Sequence, residues 1–127
     1  MSTRSLTIVH ADDKIVMNMY RQSDGYPSGH GKELAEFLLP IRMMEGKQLA
    51  PSANGAGCLA AQIVAHFKDG PGGIYLEPTD ANDCWQDYEY HIYVTFDPAP
   101  LKIRVIGPDP QFEGGVVEFL EFCNKEE

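Results

Sequence analysis

The stretch that most constrains the fold of this chain is YEYHIYVTF, Tyr88 to Phe96. Tyr88, Tyr90, Ile92, Val94 and Phe96 alternate with Glu89, His91, Tyr93 and Thr95. Side chains along a strand point to opposite faces with a period of two, so this segment reads as a half-buried strand. The next apolar run repeats the pattern, with Leu101, Ile103 and Val105 on one side and Lys102 and Arg104 on the other. Asp97-Pro98-Ala99-Pro100 between them reads as a tight connection. An apolar sheet face has to be covered by another layer. The opposite face would carry Glu89, His91, Tyr93, Lys102 and Arg104. Its plain reading is a solvated face with cross-strand charge pairs. The sharper alternative is a polar platform for a ligand.

The remaining elements follow from the same reasoning. Ser5 to His10 and Lys14 to Arg21 are strand candidates joined by Ala11-Asp12-Asp13, which predicts a β-hairpin. In the second strand Ile15, Met17 and Met19 alternate with Val16, Asn18 and Tyr20. Leu34, Phe37, Leu38 and Ile41 form a helical stripe, predicting a first helix from Ser28–Gly31 to about Leu39, with Ser28 as its N-cap. Glu45 to Ala53 reads as a loop. A second helix is predicted over Gly55 to Lys68, capped by Asn54 and stopped by Asp69-Gly70-Pro71-Gly72-Gly73. Ile74 to Glu77 is a further strand, and Val116 to Cys123 a closing helix. The order ββααβββα predicts a single α+β domain over residues 1–127. Its expected core is an antiparallel sheet of about five strands with helices packed on one face.

Charge narrows the functional classes. The chain has 19 acidic and 10 basic residues, a formal net charge of −9. A general nucleic-acid binder neutralises phosphates with Lys and Arg, so that class is not expected, although a local pocket for one small anion remains open. Three cysteines, Cys58, Cys84 and Cys123, show no CxxC spacing and read as reduced thiols of a cytoplasmic protein. No apolar run reaches the roughly 20 residues of a membrane span, and MSTRSLTIVH lacks the apolar core of a signal peptide. Neither a cofactor nor a metal site is expected: the four histidines share no ligand spacing, and the acidic residues around Trp85 lack the spacing of a calcium loop. Free sheet edges and many aromatic residues predict a homodimer or higher homo-oligomer.

The candidate site is DGYPSGHGK, Asp24 to Lys32, directly ahead of the first helix. A helix start offers unpaired N–H groups and a positive dipole end, which together attract anions. Arg21 and Lys32 add charge, His30 can donate a hydrogen bond or carry a proton, and the glycines allow close backbone approach. The candidate ligand-binding residues are therefore Arg21, Asp24, Gly25, Tyr26, Ser28, Gly29, His30 and Lys32. The phosphate-loop motif fails, because five residues separate Gly25 from Gly31 and Glu33 follows Lys32. No dinucleotide fingerprint is present. The competing reading is a turn that only starts a helix, with Gly and Pro as its turn residues. Near the second helix, Cys58 and His66 stand about 12 Å apart along an ideal helix, too far for a nucleophile–base pair.

The segments TRSLTIV and MYRQSDGYPSGHGKELAEFL resemble a family of small uncharacterised bacterial and phage-type proteins. The likeness covers mainly residues 3 to 38 and rests on Arg4, Tyr20, Arg21, Asp24, Gly25 and Tyr26. NGAGCLAAQIVAHFK and YEYHIYV match more loosely. The resemblance implies a family and a source and carries no activity. The residues themselves point to a small binding protein for an anionic or nucleotide-like small molecule. Two alternatives stand beside it: an interaction or inhibitor protein acting on a host factor, and a small hydrolase or transferase using His30 and Asp24.

Overall fold

The computed structural model describes residues 3–43, 52–94, 101–108 and 111–125. The chain runs β1 (Ser5–Ala11), β2 (Lys14–Arg21), a π-helical turn (Pro27–Gly31), α1 (Lys32–Leu38), β3 (Arg42–Met43) and β4 (Ser52–Ala53). It continues through α2 (Gly55–Phe67), β5 (Ile74–Leu76), β6 (Tyr88–Val94), β7 (Lys102–Ile106), β8 (Phe112–Gly114) and α3 (Val116–Lys125). Six strands form one sheet in the order β5-β2-β1-β6-β7-β8, and β3 and β4 form a separate two-stranded pair.

The α+β class stands, but the sheet is mixed and six-stranded rather than antiparallel with about five strands. β1 and β6 pair in parallel over their full length, from Ser5 with Tyr88 to Ala11 with Val94, while the other neighbours in the six-stranded sheet are antiparallel. Hairpins reveal themselves by short connections. The β1–β6 pairing joins segments about eighty residues apart, and alternation within a strand carries no information about its direction. The strand β8 and the β3–β4 pair also went unread. Phe112-Glu113-Gly114 is a three-residue segment rich in turn chemistry that becomes a strand only by pairing with β7. The expected Asp97–Pro100 connection and most of the Glu45–Ala53 loop lie outside the described residues.

The core lies on one face of the sheet. Val9, Met17, Met19, Tyr90, Ile92, Ile103 and Val105 pack in one cluster with Leu34, Ala35 and Leu38 of α1, Leu59, Ala60 and Ile63 of α2, and Phe119 and Cys123 of α3. All three helices therefore cover the same face. A β-bulge between Val9 and His10 makes Ile15 pair with His10 and Met17 with Val9. Val16 is the extra residue, and Ile15 leaves the face shared by Met17 and Met19. The regular alternation expected for β2 fails there for that reason.

The opposite face is not simply open to solvent. Leu6, Ile8 and Asn18 are buried on it. The segment between β5 and β6 crosses it: the Asn18 amide donates to the carbonyls of Pro78 and Ala81, and the Glu77 N–H donates to the Asn18 carbonyl. Among the described residues no helix is long and apolar enough to cross a membrane.

Candidate functional site

The Asp24–Lys32 stretch leaves β2 through Asp24, which has a left-handed φ of 60°, and passes into the π-helical turn. Its amides are largely spent on the turn itself. Gly29 N–H donates to Tyr26 O at 2.9 Å and His30 N–H to Asp24 O at 2.8 Å. Lys32 N–H donates to the carbonyls of Gly29 and Pro27, and Pro27 has no N–H to offer. The expected cradle of free N–H groups is therefore absent at these positions. Ser28 does not cap the helix: the turn begins after Tyr26 with no side-chain cap, and α2 likewise starts after Asn54 with no side-chain cap bond.

The glycines serve contacts within the protein. A Cβ on Gly25 would lie 2.8 Å from Ser5 Cβ, and one on Gly29 would lie 2.6 Å from the Asp24 carbonyl and 2.9 Å from the Tyr26 ring. On Gly31 it would meet Cys123 Sγ at 2.9 Å and the Tyr90 ring at 3.1 Å. Close approach is what the glycines permit, and the approaching groups are β1, Tyr26, Tyr90 and α3. The Tyr90 hydroxyl completes the attachment by donating to Gly25 O at 2.7 Å. Its burial pushes the phenol pKa up.

His30 points inward and is fully buried. Arg21 Nη1 lies 3.1 Å from its Nδ1, and guanidinium nitrogens only donate. Nδ1 is therefore the acceptor, Nε2 carries the proton, and that proton is donated to Thr7 Oγ1 at 2.6 Å. Phe67 and Tyr90 flank the ring at 4.7 and 5.1 Å between centroids. Burial, reinforced by the Arg21 charge, lowers the His30 pKa to about 3, so the ring is neutral at physiological pH. Arg21 is equally occupied: its Nε donates to Ser23 O, and its other nitrogens face Glu33 at 3.4 Å. His30 has both ring nitrogens engaged inside the protein and no edge open to a ligand. Asp24 carries an exposed side chain, with Tyr26 Oη 3.4 Å from its Oδ1.

The outer side of the stretch is different. Tyr26, Pro27, Ser28 and Lys32 line a half-open cleft of about 660 Å³ together with Tyr88, Cys123 and Asn124. Arg21 lines another, smaller cleft beside Glu33, His66 and Asp69. The cationic residues expected to converge thus separate: Lys32 faces one cleft, Arg21 another, and His30 the core. No residue of the α2 start, 54–58, lines the Lys32 cleft among the described residues, so the two glycine-rich helix starts do not share it.

A second polar constellation lies on the opposite sheet face, and it includes a residue that sequence reasoning left aside. The Glu89 carboxylate accepts from His91 Nε2 at 2.8 Å, which leaves His91 Nδ1 to accept from His10 Nε2, also at 2.8 Å. Tyr93 stacks on His10 at 4.4 Å. The pKa of His10 is lowered by burial and then by His91. Glu89, His91 and Tyr93 were legible from the β6 alternation, and Arg104 and Lys102 sit opposite His91 and Tyr93 in register. The signal for His10 is the parallel register, in which it pairs with Tyr93; no local pattern encodes it.

Cys58, Cys84 and Cys123 are free thiols. Cys58 Sγ contacts Gln62 Oε1 at 3.2 Å, while His66 stacks on Phe37, so the two form no catalytic pair. Among the described residues no group of three or more His, Cys, Asp or Glu side chains converges as metal ligands. Comparison of the chain with family models, with curated proteins and with solved structures found no match.

Proposed function

We propose that the protein is a small binding protein for an anionic, nucleotide-like molecule, and that the ligand occupies the cleft between the π-helical turn and the end of α3. One observation carries this reading. In a chain of net charge −9, the lining of this cleft combines one ammonium, Lys32, with two tyrosines, Tyr26 and Tyr88, and the polar side chains of Ser28 and Asn124. No carboxylate lines it among the described residues. A cleft of 300–1,000 Å³ with aromatic walls and a few polar groups is the usual form of a small-molecule site. The ammonium supplies a charge-assisted hydrogen bond to a phosphate or carboxylate, and an exposed tyrosine face supplies a stacking surface for a planar ring. Binding rather than catalysis is favoured because the groups first suited to proton transfer, His30 above all, are engaged inside the protein.

Calorimetric titration with ATP, adenosine and inorganic phosphate tests the proposal. ATP should bind more tightly than either of its parts. Lys32→Ala should weaken ATP by about tenfold or more, the equivalent of about 1.4 kcal/mol, and leave the melting temperature unchanged because Lys32 is exposed. Tyr26→Ala should weaken ATP and adenosine but spare phosphate. Equal affinity in wild type and Lys32→Ala, or no binding of any of the three, would overturn it.

A further inference from the structure

The chain's single tryptophan is the most exposed large apolar residue among the described residues. Trp85 is 81% exposed in the segment that crosses the sheet face opposite the helices. An exposed aromatic side chain is unremarkable on a floppy loop, but this segment is tied down along its length. Asn18 holds the carbonyls of Pro78 and Ala81. The Gln86 amide donates to Asn82 O and to Glu89 Oε2, and its carbonyl accepts from Cys84 N–H. Asp87 N–H donates to Arg4 O, and Arg4 N–H returns a bond to Asp87 Oδ2. The Glu89 carboxylate that receives Gln86 is itself held by His91, and His91 by His10. The turn is thus braced from the sheet through a chain of four side chains. Within that brace Trp85 adopts a left-handed φ of 65°, a conformation unfavourable for a bulky residue.

The formal charge carried by this segment is entirely acidic. No lysine or arginine occurs between Lys68 and Lys102, whereas acidic residues occupy 69, 77, 80, 83, 87, 89 and 97. Asp80 and Asp83 flank the turn with exposed side chains. The neighbouring Cys84 thiol is pushed up by burial and then by the charges of Glu77, Asp83 and Glu89. A second copy of this chain, equally acidic, would be repelled here. A cation meets both attractions at once: carboxylates for its charge, and an indole face, the best of the aromatic side chains for cation–π contact.

We propose that Trp85 is the anchor of a docking surface for a lysine- or arginine-rich segment of a partner protein, with Asp80 and Asp83 as its charged rim. Buried tryptophans dominate the energetics of many interfaces, and a turn whose backbone is held in place before binding has less freedom to lose on association. This surface is separate from the Lys32 cleft, and its test does not depend on that proposal.

The probe is a nona-arginine peptide, titrated calorimetrically at about 0.15 M salt against wild type, Trp85→Ala and Asp80→Asn/Asp83→Asn. Trp85→Ala keeps the net charge at −9, so it separates docking at the indole from general attraction between an acidic protein and a basic peptide. The expected result is at least a tenfold loss of affinity in Trp85→Ala, a smaller loss in the double Asn variant, and unchanged melting temperatures. The fluorescence of wild type, excited at the red edge of the indole band where tyrosine does not absorb so that it reports Trp85 alone, should change as the peptide saturates. Affinity equal in wild type and Trp85→Ala, or a fluorescence signal that ignores the peptide, would overturn the proposal. Binding of tetramethylammonium as tightly as the peptide would overturn it in favour of a small-cation site.

Discussion

Two three-residue chains of polar side chains in this molecule look alike on paper and differ in everything that matters for their use. In one, Thr7, His30 and Arg21 are linked on the helix-covered side of the sheet. In the other, Glu89, His91 and His10 are linked on the opposite face. Each has a histidine at its centre with both ring nitrogens engaged. His30 is fully buried, and burial holds it neutral. His10 and His91 are half-buried and reach water. The comparison teaches that residue type and local spacing do not separate a histidine locked in the core from one that reaches water. The layer packed above it does. The stretch richest in apparent chemistry became the fastening of the first helix to the sheet, and the groups it leaves facing the outer cleft are Tyr26, Ser28 and Lys32.

If the Asp24–Lys32 stretch is a fastening, its glycines should be the most sensitive positions. Gly31→Val should cost more than about 3 kcal/mol, as overpacking against Cys123 and Tyr90 forces backbone and side chains to shift. Urea denaturation of the variant checks this, and a stable protein would break the comparison at its buried end. Thr7→Val should follow, at about 1–3 kcal/mol, because it leaves the His30 Nε2–H buried without an acceptor.

The pH dependence sharpens the contrast further. The folded pKa of His30, about 3, lies below its ordinary value of 6.5, so between these values the unfolded chain binds the extra proton. The stability that His30 contributes is complete above pH 6.5 and is lost as pH falls through that window. Lowering pH from 7 to 5.5 should cost about 1 kcal/mol from this group. Denaturation of wild type and His30→Gln at both pH values isolates the difference, which vanishes if His30 titrates normally. The smallest effect is expected on the other face. His91→Ala should cost less than about 1 kcal/mol through its partly exposed pair with Glu89, measured by the same denaturation.

Much of the architecture was legible because it is local. The alternation in β6 and β7 assigned the buried Tyr90, Ile92, Ile103 and Val105 to one face. The β1–β2 hairpin, the 55–67 helix and the closing helix fell close to their expected bounds. What failed is non-local. Parallel pairing of β1 with β6, the bulge that turns Ile15 away from Met17, and the strand β8 depend on partners distant in sequence. The candidate stretch divides the same way. Sequence places its glycines, histidine and lysine close together in the chain, but the surroundings of Gly31 and His30 are set by Tyr90, Cys123 and Thr7, residues from other elements. Gly31 reads as an invitation to a ligand until Tyr90 and Cys123 are seen against it.

The most direct measurement is an NMR titration of all four imidazole rings between pH 8 and pH 5, read through their nitrogen shifts. The account predicts that His30 keeps one neutral tautomer, with the proton on Nε2, across the whole range. A His30 signal that follows a protonation curve centred near 6.5, or one that shows the proton on Nδ1, would contradict it.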